Sequence, residues 1–389
     1  MRLAVLSLSL ILTACGGGGS SAPVTDTKLV PVKSSPIPVL VSSFENEMTA
    51  AKILGPQNLP LDWKPCGDRI ECGSFVAPAI AFADFMRDGS YSMIIHTMEY
   101  NIVNPLDLNR KGHIKFYQSV NGTWVDNTSK ILKPEQTEGC LHAGKAIVAD
   151  FMQNGMPSVF FACFGKDSED GLGERQRMLL GQRDGTYKNV ELPVLDFCRC
   201  SSASAADING DGYPDIVLTD DYRSTGLYFL INNKDGTFTV DYNRFPIETL
   251  RKALFAVELI DFNNDKKYDI VIAGVEQCCK GLSGPAKIYH NVNGLFTNSI
   301  TIPSVSGFGI VLDIVYDSGY LYLSRTIDEP SSFYSGFVVQ RIKYSTMETK
   351  VLHESYHVLA EGKKHIDSII PYGNNIVSIS SLYNFSVGK

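Results

Sequence analysis

Short apolar runs separated by polar, glycine-containing turns dominate the chain, and they recur with a long period. Ser92-Met93-Ile94-Ile95, Asp215-Ile216-Val217-Leu218 and Leu227-Tyr228-Phe229-Leu230 are of strand length and rich in β-branched and aromatic residues, which predicts strands. A first marker ends such a run in Asp: Ala83-Asp84-Phe85, Ala149-Asp150-Phe151, Ala206-Asp207-Ile208 and Ile260-Asp261-Phe262, with weaker copies at Asp313 and Asp367, every 52 to 66 residues. A second marker follows each of the first four: Asn121-Gly122-Thr123-Trp124, Asp184-Gly185-Thr186-Tyr187, Asp235-Gly236-Thr237-Phe238 and Asn293-Gly294-Leu295-Phe296. Asn-Gly and Asp-Gly suit the positive φ angles of a tight hairpin, and the aromatic is expected to open the returning strand on its packed side.

Each unit reads strand, loop, strand, longer loop, strand, glycine turn, strand. Four strands in about 50 residues, repeated, predict an all-β propeller, because one blade cannot bury both its faces alone. Six markers predict six blades. The last unit, 363–389, has room for about two strands, so the apolar run Ile37–Ser42 is expected to complete it and close the ring, removing an exposed sheet edge. A seventh blade built partly from residues 37–75 is the alternative. Between these, 45–54 reads as a short helix and 55–74 as a loop.

The start of the chain has a different character. Arg2 precedes an apolar run, Leu3 to Leu12, too short to span a bilayer, and then Leu12-Thr13-Ala14-Cys15 is followed by Gly16 to Gly19 and Ser20-Ser21. This resembles the lipobox of bacterial lipoproteins. The resemblance implies a signal peptide over 1–15, cleavage before Cys15 and acylation of that cysteine, which would anchor the chain in the cell envelope, at the outer membrane, with palmitate among the acyl groups. Residues 16–36 then form a flexible Gly/Ser/Pro tether, and 37–389 the propeller.

Eight further cysteines, an even number in an exported chain, read as disulfides. Cys66 with Cys72 closes a short loop, and Cys140 with Cys163 could pin one repeat. Cys198/Cys200 and Cys278/Cys279 either link to each other across neighbouring repeats or each close on themselves. The net charge of −7 argues against nucleic acid and against a polybasic membrane patch.

Candidate chemistry concentrates in Asp207-Ile208-Asn209-Gly210-Asp211-Gly212-Tyr213-Pro214-Asp215. Side-chain oxygens fall at positions 1, 3, 5 and 9, and a backbone carbonyl is available at Tyr213, a set that lets a short loop wrap a hard cation. An EF-hand would need Glu at position 12, where Leu218 stands, and flanking helices where this chain has apolar strands. The loop instead resembles the strand–loop–strand calcium site of FG-GAP and VCBS repeats, as in integrin α-subunit propellers. That resemblance implies structural Ca2+ held by Asp207, Asn209, Asp211 and Asp215 with the Tyr213 carbonyl. A weaker copy would use Asp261, Asn263, Asp265 and Asp269 with the Lys267 carbonyl, Lys266 standing where Gly212 stands in the first. The copies beginning at Asp84, Asp150 and Asp313 have lost the charge that holds a cation.

His353-Glu354-Ser355-Tyr356-His357 matches the H-E-x-x-H of zinc peptidases, but the repeat puts it on an outer strand, where a helix is required. Asp220-Asp221 and Glu169-Asp170 read as surface acidic pairs, and Gly165 to Arg177 as a binding or mobile loop. With no nucleophile elbow or phosphate loop, the expectation is a non-catalytic, calcium-stabilised binding, adhesion or scaffold module that recognises a protein or glycan at the envelope. An envelope-anchored enzyme acting on polysaccharide is the alternative, to be marked by catalytic side chains in the axial channel.

Overall fold

Among the described residues, twenty-four strands account for nearly all of the regular structure. The computed structural model describes residues 64–66, 69–101, 111–165, 173–193, 198–220, 226–245, 249, 252–277, 281–328, 336–356, 368–379 and 385–389, with side chains described throughout except at 64–78, 98–101, 372 and 379. All belong to one compact unit, Ser34–Lys389. The expected leader, Cys15, the tether, the strand at 37–42, the helix at 45–54, Asp367 and the cysteine pair Cys278 and Cys279 lie outside the described residues. Among the described residues no helix is long and apolar enough to cross a membrane.

The strands form six antiparallel sheets, each in sequence order. Blade 1 holds β1 (Lys64–Cys66), β2 (Arg69–Ala83), β3 (Ser92–Asn101), β4 (Ile114–Val120) and β5 (Thr123–Asp126). Blade 2 holds β6 (Ala143–Ala149), β7 (Ser158–Cys163), β8 (Arg177–Gly181) and β9 (Tyr187–Glu191). Blade 3 holds β10 (Ala203–Ala206), β11 (Asp215–Thr219), β12 (Leu227–Asn232) and β13 (Phe238–Asp241). Blade 4 holds β14 (Leu254–Ile260), β15 (Asp269–Gly274), β16 (Lys287–Val292) and β17 (Leu295–Thr301). Blade 5 holds β18 (Ile310–Asp317), β19 (Tyr320–Thr326), β20 (Gly336–Lys343) and β21 (Glu348–Tyr356), and blade 6 holds β22 (Ser368–Tyr372), β23 (Asn375–Ile379) and β24 (Ser386–Gly388).

Each blade packs on the next. Apolar clusters join blades 1 and 2, 2 and 3, 3 and 4, 4 and 5, and 5 and 6, and a further cluster sets Phe82, Met93 and Ile95 of blade 1 against Ile370 and Val377 of blade 6. The chain is therefore a closed six-bladed β-propeller. Second strands such as β7, β11 and β15 are buried along their whole length, which explains why they read as unbroken apolar runs. Outer strands such as β17 bury one residue and expose most of the rest.

The two sequence markers are halves of one contact. The residue after each of the first four marker Asp residues packs against an aromatic residue in the outer hairpin of the following blade. Phe85 meets Tyr187 edge-on at 6.0 Å and Phe151 meets Phe238 at 6.1 Å. Ile208 shares a buried cluster with Phe296, and Phe262 stacks on Tyr344 at 4.0 Å. Backbone and side chain reinforce this seam: the Tyr187 hydroxyl donates to the Phe85 carbonyl, and Asn232 Nδ2 to that of Phe151. Trp124 of blade 1, half-buried, packs into the cluster with blade 6.

Several expectations need correction. Residues 69–74 are strand, the start of β2 paired with β1, where a loop was expected. Blade 6 has three described strands, not two. Asp313 does not open a nine-residue loop: it lies within β18, and the strand ends at Asp317 in the two-residue turn Ser318-Gly319, both at positive φ. Asn121-Gly122 and Asn293-Gly294 are also left-handed pairs, but Asp184 and Asp235 act differently. Each accepts the N–H and hydroxyl of the Thr two residues on, an Asx turn in which the side chain does part of the work of a backbone turn.

Candidate functional site

The loop between β10 and β11 is organised around Asp207. Its Oδ1 accepts the N–H groups of Gly210 (2.8 Å) and Asp211 (3.0 Å), and its Oδ2 accepts that of Gly212 (2.8 Å). Asn209 Oδ1 accepts the Asp211 N–H, and Asp211 Oδ1 the Tyr213 N–H. Asp215 closes the loop from the start of β11: Oδ2 accepts the Ile208 N–H (3.1 Å) and Oδ1 the Asn232 N–H (2.8 Å). Gly210 and Gly212 both take positive φ, 76° and 89°, which lets the chain curl so tightly around one carboxylate.

Asp215 is wholly buried. Burial lifts its carboxyl to about 6; the N–H groups of Asn232 and Ile208 oppose the rise, and the nearby Asp211 and Asp207 add to it. Asp211 is held below its ordinary value although burial raises it, because the Tyr213 N–H, Lys234 and Asn209 together outweigh the burial. A buried carboxylate crowded by two others is a place where a cation is stabilising, and an all-oxygen donor set suits a hard one. The residues present therefore fit the cation that the loop's resemblance implies. Lys234 Nζ stands 3.2 Å from Asp211 Oδ2, an ammonium on the solvent side of the same acidic group.

The loop between β14 and β15 repeats the skeleton. Asp261 Oδ1 accepts the Asp265 N–H and Oδ2 the Lys266 N–H; Asn263 Oδ1 accepts the Asp265 N–H, and Asp265 Oδ1 the Lys267 N–H. Asn264 and Lys266 adopt φ of 60° and 63° in place of the two glycines. The missing glycine thus leaves the turn's shape intact at a conformational cost. The ninth position differs more. Asp269 Oδ1 accepts the Asn291 N–H, but Oδ2 lies 2.9 Å from His290 Nδ1, so an imidazole takes the carboxylate oxygen that in blade 3 closes the loop through Ile208.

Blades 1 and 2 keep the turn and lack the cage. Asp84 accepts the N–H groups of Asp88 and Gly89, and Asp150 those of Asn154 and Gly155. Position 9 is Ser92, whose hydroxyl donates to the Ala83 carbonyl, or Ser158, whose hydroxyl accepts the Gly181 N–H. The first-position Asp is a turn staple in all four blades. The carboxylate at position 9 and the amide at position 3 are what separate the loops of blades 3 and 4 from a plain turn.

The other sequence candidates resolve as follows. Cys140 is bonded to Cys163, and Cys198 closes on Cys200, so the cross-repeat link from Cys198 and Cys200 to Cys278 and Cys279 does not form. Cys278 and Cys279 themselves lie outside the described residues, as do the side chains of Cys66 and Cys72. His353 is in β21, its ring stacked on Phe385 at 4.8 Å and tilted on Phe337, while Glu354 accepts the Tyr356 hydroxyl and His357 lies outside the described residues. Adjacent strand residues point to opposite faces, so His353 and Glu354 do not form the helical peptidase site. Asp220 is not a surface acid: it is buried and accepts the Tyr228 hydroxyl at 2.7 Å. At the edge of the 165–177 segment, Glu174 accepts the N–H groups of Leu141, His142 and Gly165, with its carboxyl raised chiefly by burial.

Sequence reading missed His290 and Lys234, the residues that separate the two loops, and Asn232, whose bond to Asp215 is repeated in blade 4 by Asn291 on Asp269. None lies within a loop's own nine positions. Each lies in or just after the third strand of its own blade, a position that only strand pairing brings into reach.

The model of the FG-GAP-like repeat family matches residues 207–272, the stretch from the first loop to β15. Among curated proteins none matches the chain. Solved structures resemble it remotely. One is a protein from Lactobacillus plantarum, at 11% identity, covering 72% of each chain, TM-score 0.41. A second is a putative 6-phosphogluconolactonase from Bacteroides uniformis, at 12% identity, 80% of this chain and 90% of that one, TM-score 0.43. A third is an exotype rhamnogalacturonan lyase, at 14% identity, 83% and 56%, TM-score 0.39. Likenesses this distant have no bearing on activity. The chain is a six-bladed β-propeller carrying an FG-GAP-like repeat across blades 3 and 4.

Proposed function

We propose that this chain is a non-catalytic binding or scaffold module, tethered to the cell envelope through Cys15 and stiffened by calcium in its blade 3 loop. The observation that carries the calcium part is the convergence on one loop of Asp207, Asn209, Asp211 and the buried Asp215. Calcium bound there would supply positive charge to a crowded carboxylate cluster and fix the β10–β11 turn. The blade 4 loop would bind more weakly, because His290 engages Asp269.

A propeller brings loops from every blade to its two faces, which suits it to gripping a protein or glycan. The test is binding of the purified, acylated chain to envelope proteins and glycans by crosslinking and glycan array, alongside turnover assays on polysaccharides. Saturable, calcium-dependent capture of a protein or glycan without turnover supports the reading. Turnover of a polysaccharide with no stable capture overturns it in favour of an envelope-anchored hydrolase or lyase.

A further inference from the structure

Two sulfurs and a carboxylate meet where the chain passes from blade 1 into blade 2, at the end of β7 opposite its Asp150 loop. Cys140 belongs to the connection before β6, Cys163 ends β7, and Glu174 lies three residues before β8. Both cysteines are wholly buried. One ligand atom from each of the three side chains lies within 4.8 Å of the other two. Joined to each other, the sulfurs offer little to a cation. Reduced, they become a pair of thiols beside a carboxylate, side chains of the kinds that bind zinc.

The three side chains are placed by groups other than the disulfide. The Cys163 N–H donates to Gln176 Oε1 at 2.7 Å, and its carbonyl accepts Gln176 Nε2 at 3.0 Å. The Cys140 N–H donates to His96 Nε2 at 2.7 Å, and its carbonyl accepts the Gly112 N–H at 2.7 Å. The backbone of both cysteines is therefore pinned by bonds that reduction does not touch. Their Cα atoms stand 5.7 Å apart, a gap that the side chains can close as a bond or, after rotation about χ1, through an intervening ion. Glu174 is held through its backbone, which exchanges N–H···O bonds with Cys198, and through its carboxylate. Oε1 accepts the N–H groups of Leu141, His142 and Gly165, while among the described residues Oε2 accepts only a share of the Leu141 N–H, at 3.0 Å. Oε2 thus keeps a lone pair for a metal. A tetrahedral zinc ion, with bonds of about 2.3 Å to sulfur and about 2.0–2.2 Å to oxygen, spaces its ligands by roughly 3.5–3.8 Å. All three side chains reach such positions.

We propose that Cys140, Cys163 and Glu174 form a redox-gated zinc site, closed while the sulfurs are bonded and opened by a dithiol reductant. The reductant supplies two electrons and two protons: the Cys140–Cys163 bond breaks, each sulfur becomes a thiol, and the reductant leaves as a disulfide. Zn2+ then bonds to each sulfur and displaces both thiol protons to solvent. Glu174 Oε2 supplies the third ligand and water the fourth. Glu174 is the partly exposed member of the three, and the ion enters past it. Two thiolates select zinc over calcium, which prefers oxygen. The site is therefore chemically distinct from the blade 3 loop and stands whether or not that loop binds calcium. In both states Cys140 stays linked to β7, by a covalent bond or by the metal.

The test is cobalt spectroscopy of the full chain, with Co2+ standing in for Zn2+, before and after reduction by a water-soluble phosphine, which leaves as its oxide and adds no competing thiol. The reduced chain should gain a thiolate-to-cobalt charge-transfer band and the visible bands of a tetrahedral ion. Zn2+ should displace them, excess Ca2+ should not, and reoxidation should abolish them. Cys163→Ser should remove one equivalent of bound Co2+. Glu174→Gln keeps both cysteines and an oxygen for the three N–H groups, and it should weaken Co2+ binding by on the order of tenfold or more. If Cys163→Ser does not fold, Glu174→Gln alone decides. No band in the reduced chain, a band that Cys163→Ser leaves undiminished, or equal affinity in Glu174→Gln overturns the proposal.

Discussion

Blades 1 and 2 and blades 3 and 4 carry the same turn after the innermost strand but hold it in different ways. In all four an Asp carboxylate gathers the N–H groups of the residues four and five positions on. In blades 1 and 2 only the position-5 side chains, Asp88 and Asn154, add a further turn bond, and the shared seam is secured elsewhere: by the Cys140–Cys163 bond and by His96 of β3. His96 is completely buried, tilted on Phe161, and accepts the Cys140 N–H at Nε2 at 2.7 Å. In blades 3 and 4 the staple is joined by carboxylates at positions 5 and 9, whereas blade 1 has only Asp88, at position 5, and blade 2 has neither. An Asp at the end of a strand therefore indicates a turn, and only its companions indicate a cation.

The largest effect expected from this contrast lies in the half that has no cage. Burial is the main cause that pushes His96 down to about 3, with His142, Arg177 and His113 adding to it. Protonation would also place a donor at Nε2 against the Cys140 N–H. Because the folded value lies below the unfolded one, the stabilisation is complete above about pH 6.5 and is lost as pH falls from there toward 3, at ~1.4 kcal/mol per unit of difference. Urea titrations between pH 7 and pH 5 should show the loss, and His96→Gln should flatten the slope. An unchanged slope in that variant would assign the acid sensitivity to another group.

The second effect belongs to the cage. Calcium at a hundredfold excess over its Kd should stabilise the chain by about 2.7 kcal/mol if one site dominates. Asp215→Asn should abolish that increment, while Asp269→Asn should leave most of it; equal losses would erase the distinction between the blades. His290→Ala, which frees Asp269 Oδ2, is expected to add a second calcium-binding step in isothermal calorimetry.

Smaller effects follow from the shared staple and the unshared glycine. Asp150→Ala should cost ~1–2 kcal/mol with or without calcium. Asp207→Ala should cost a similar amount in chelator and more in calcium, so identical behaviour of the two in calcium would count against the cage. Lys266→Gly relieves a left-handed residue at φ 63° and should stabilise by up to ~1 kcal/mol, with Gly212→Lys acting in the opposite sense in denaturant melts.

Sequence alone determined the repeat, the blade count and which side chains the nine-residue loops bring together. Strand period, Asp and Asn-Gly turn chemistry and loop spacing are local properties of neighbouring residues, and Asp207 to Asp215 are near in space because they are near in the chain. The shortened turn at Ser318-Gly319 was the local exception: Asp313 matched the spacing of a marker, although Asp317 ends the strand. What tertiary structure alone decided lies between strands and between blades. His290 reaches Asp269 across strand pairing, Asp220 is buried under Tyr228, and Lys145 meets Glu258 and Asp313 from blades far apart in sequence. Their charges carry no signal in the local pattern, because the partner that fixes each one's role is set by closure of the ring.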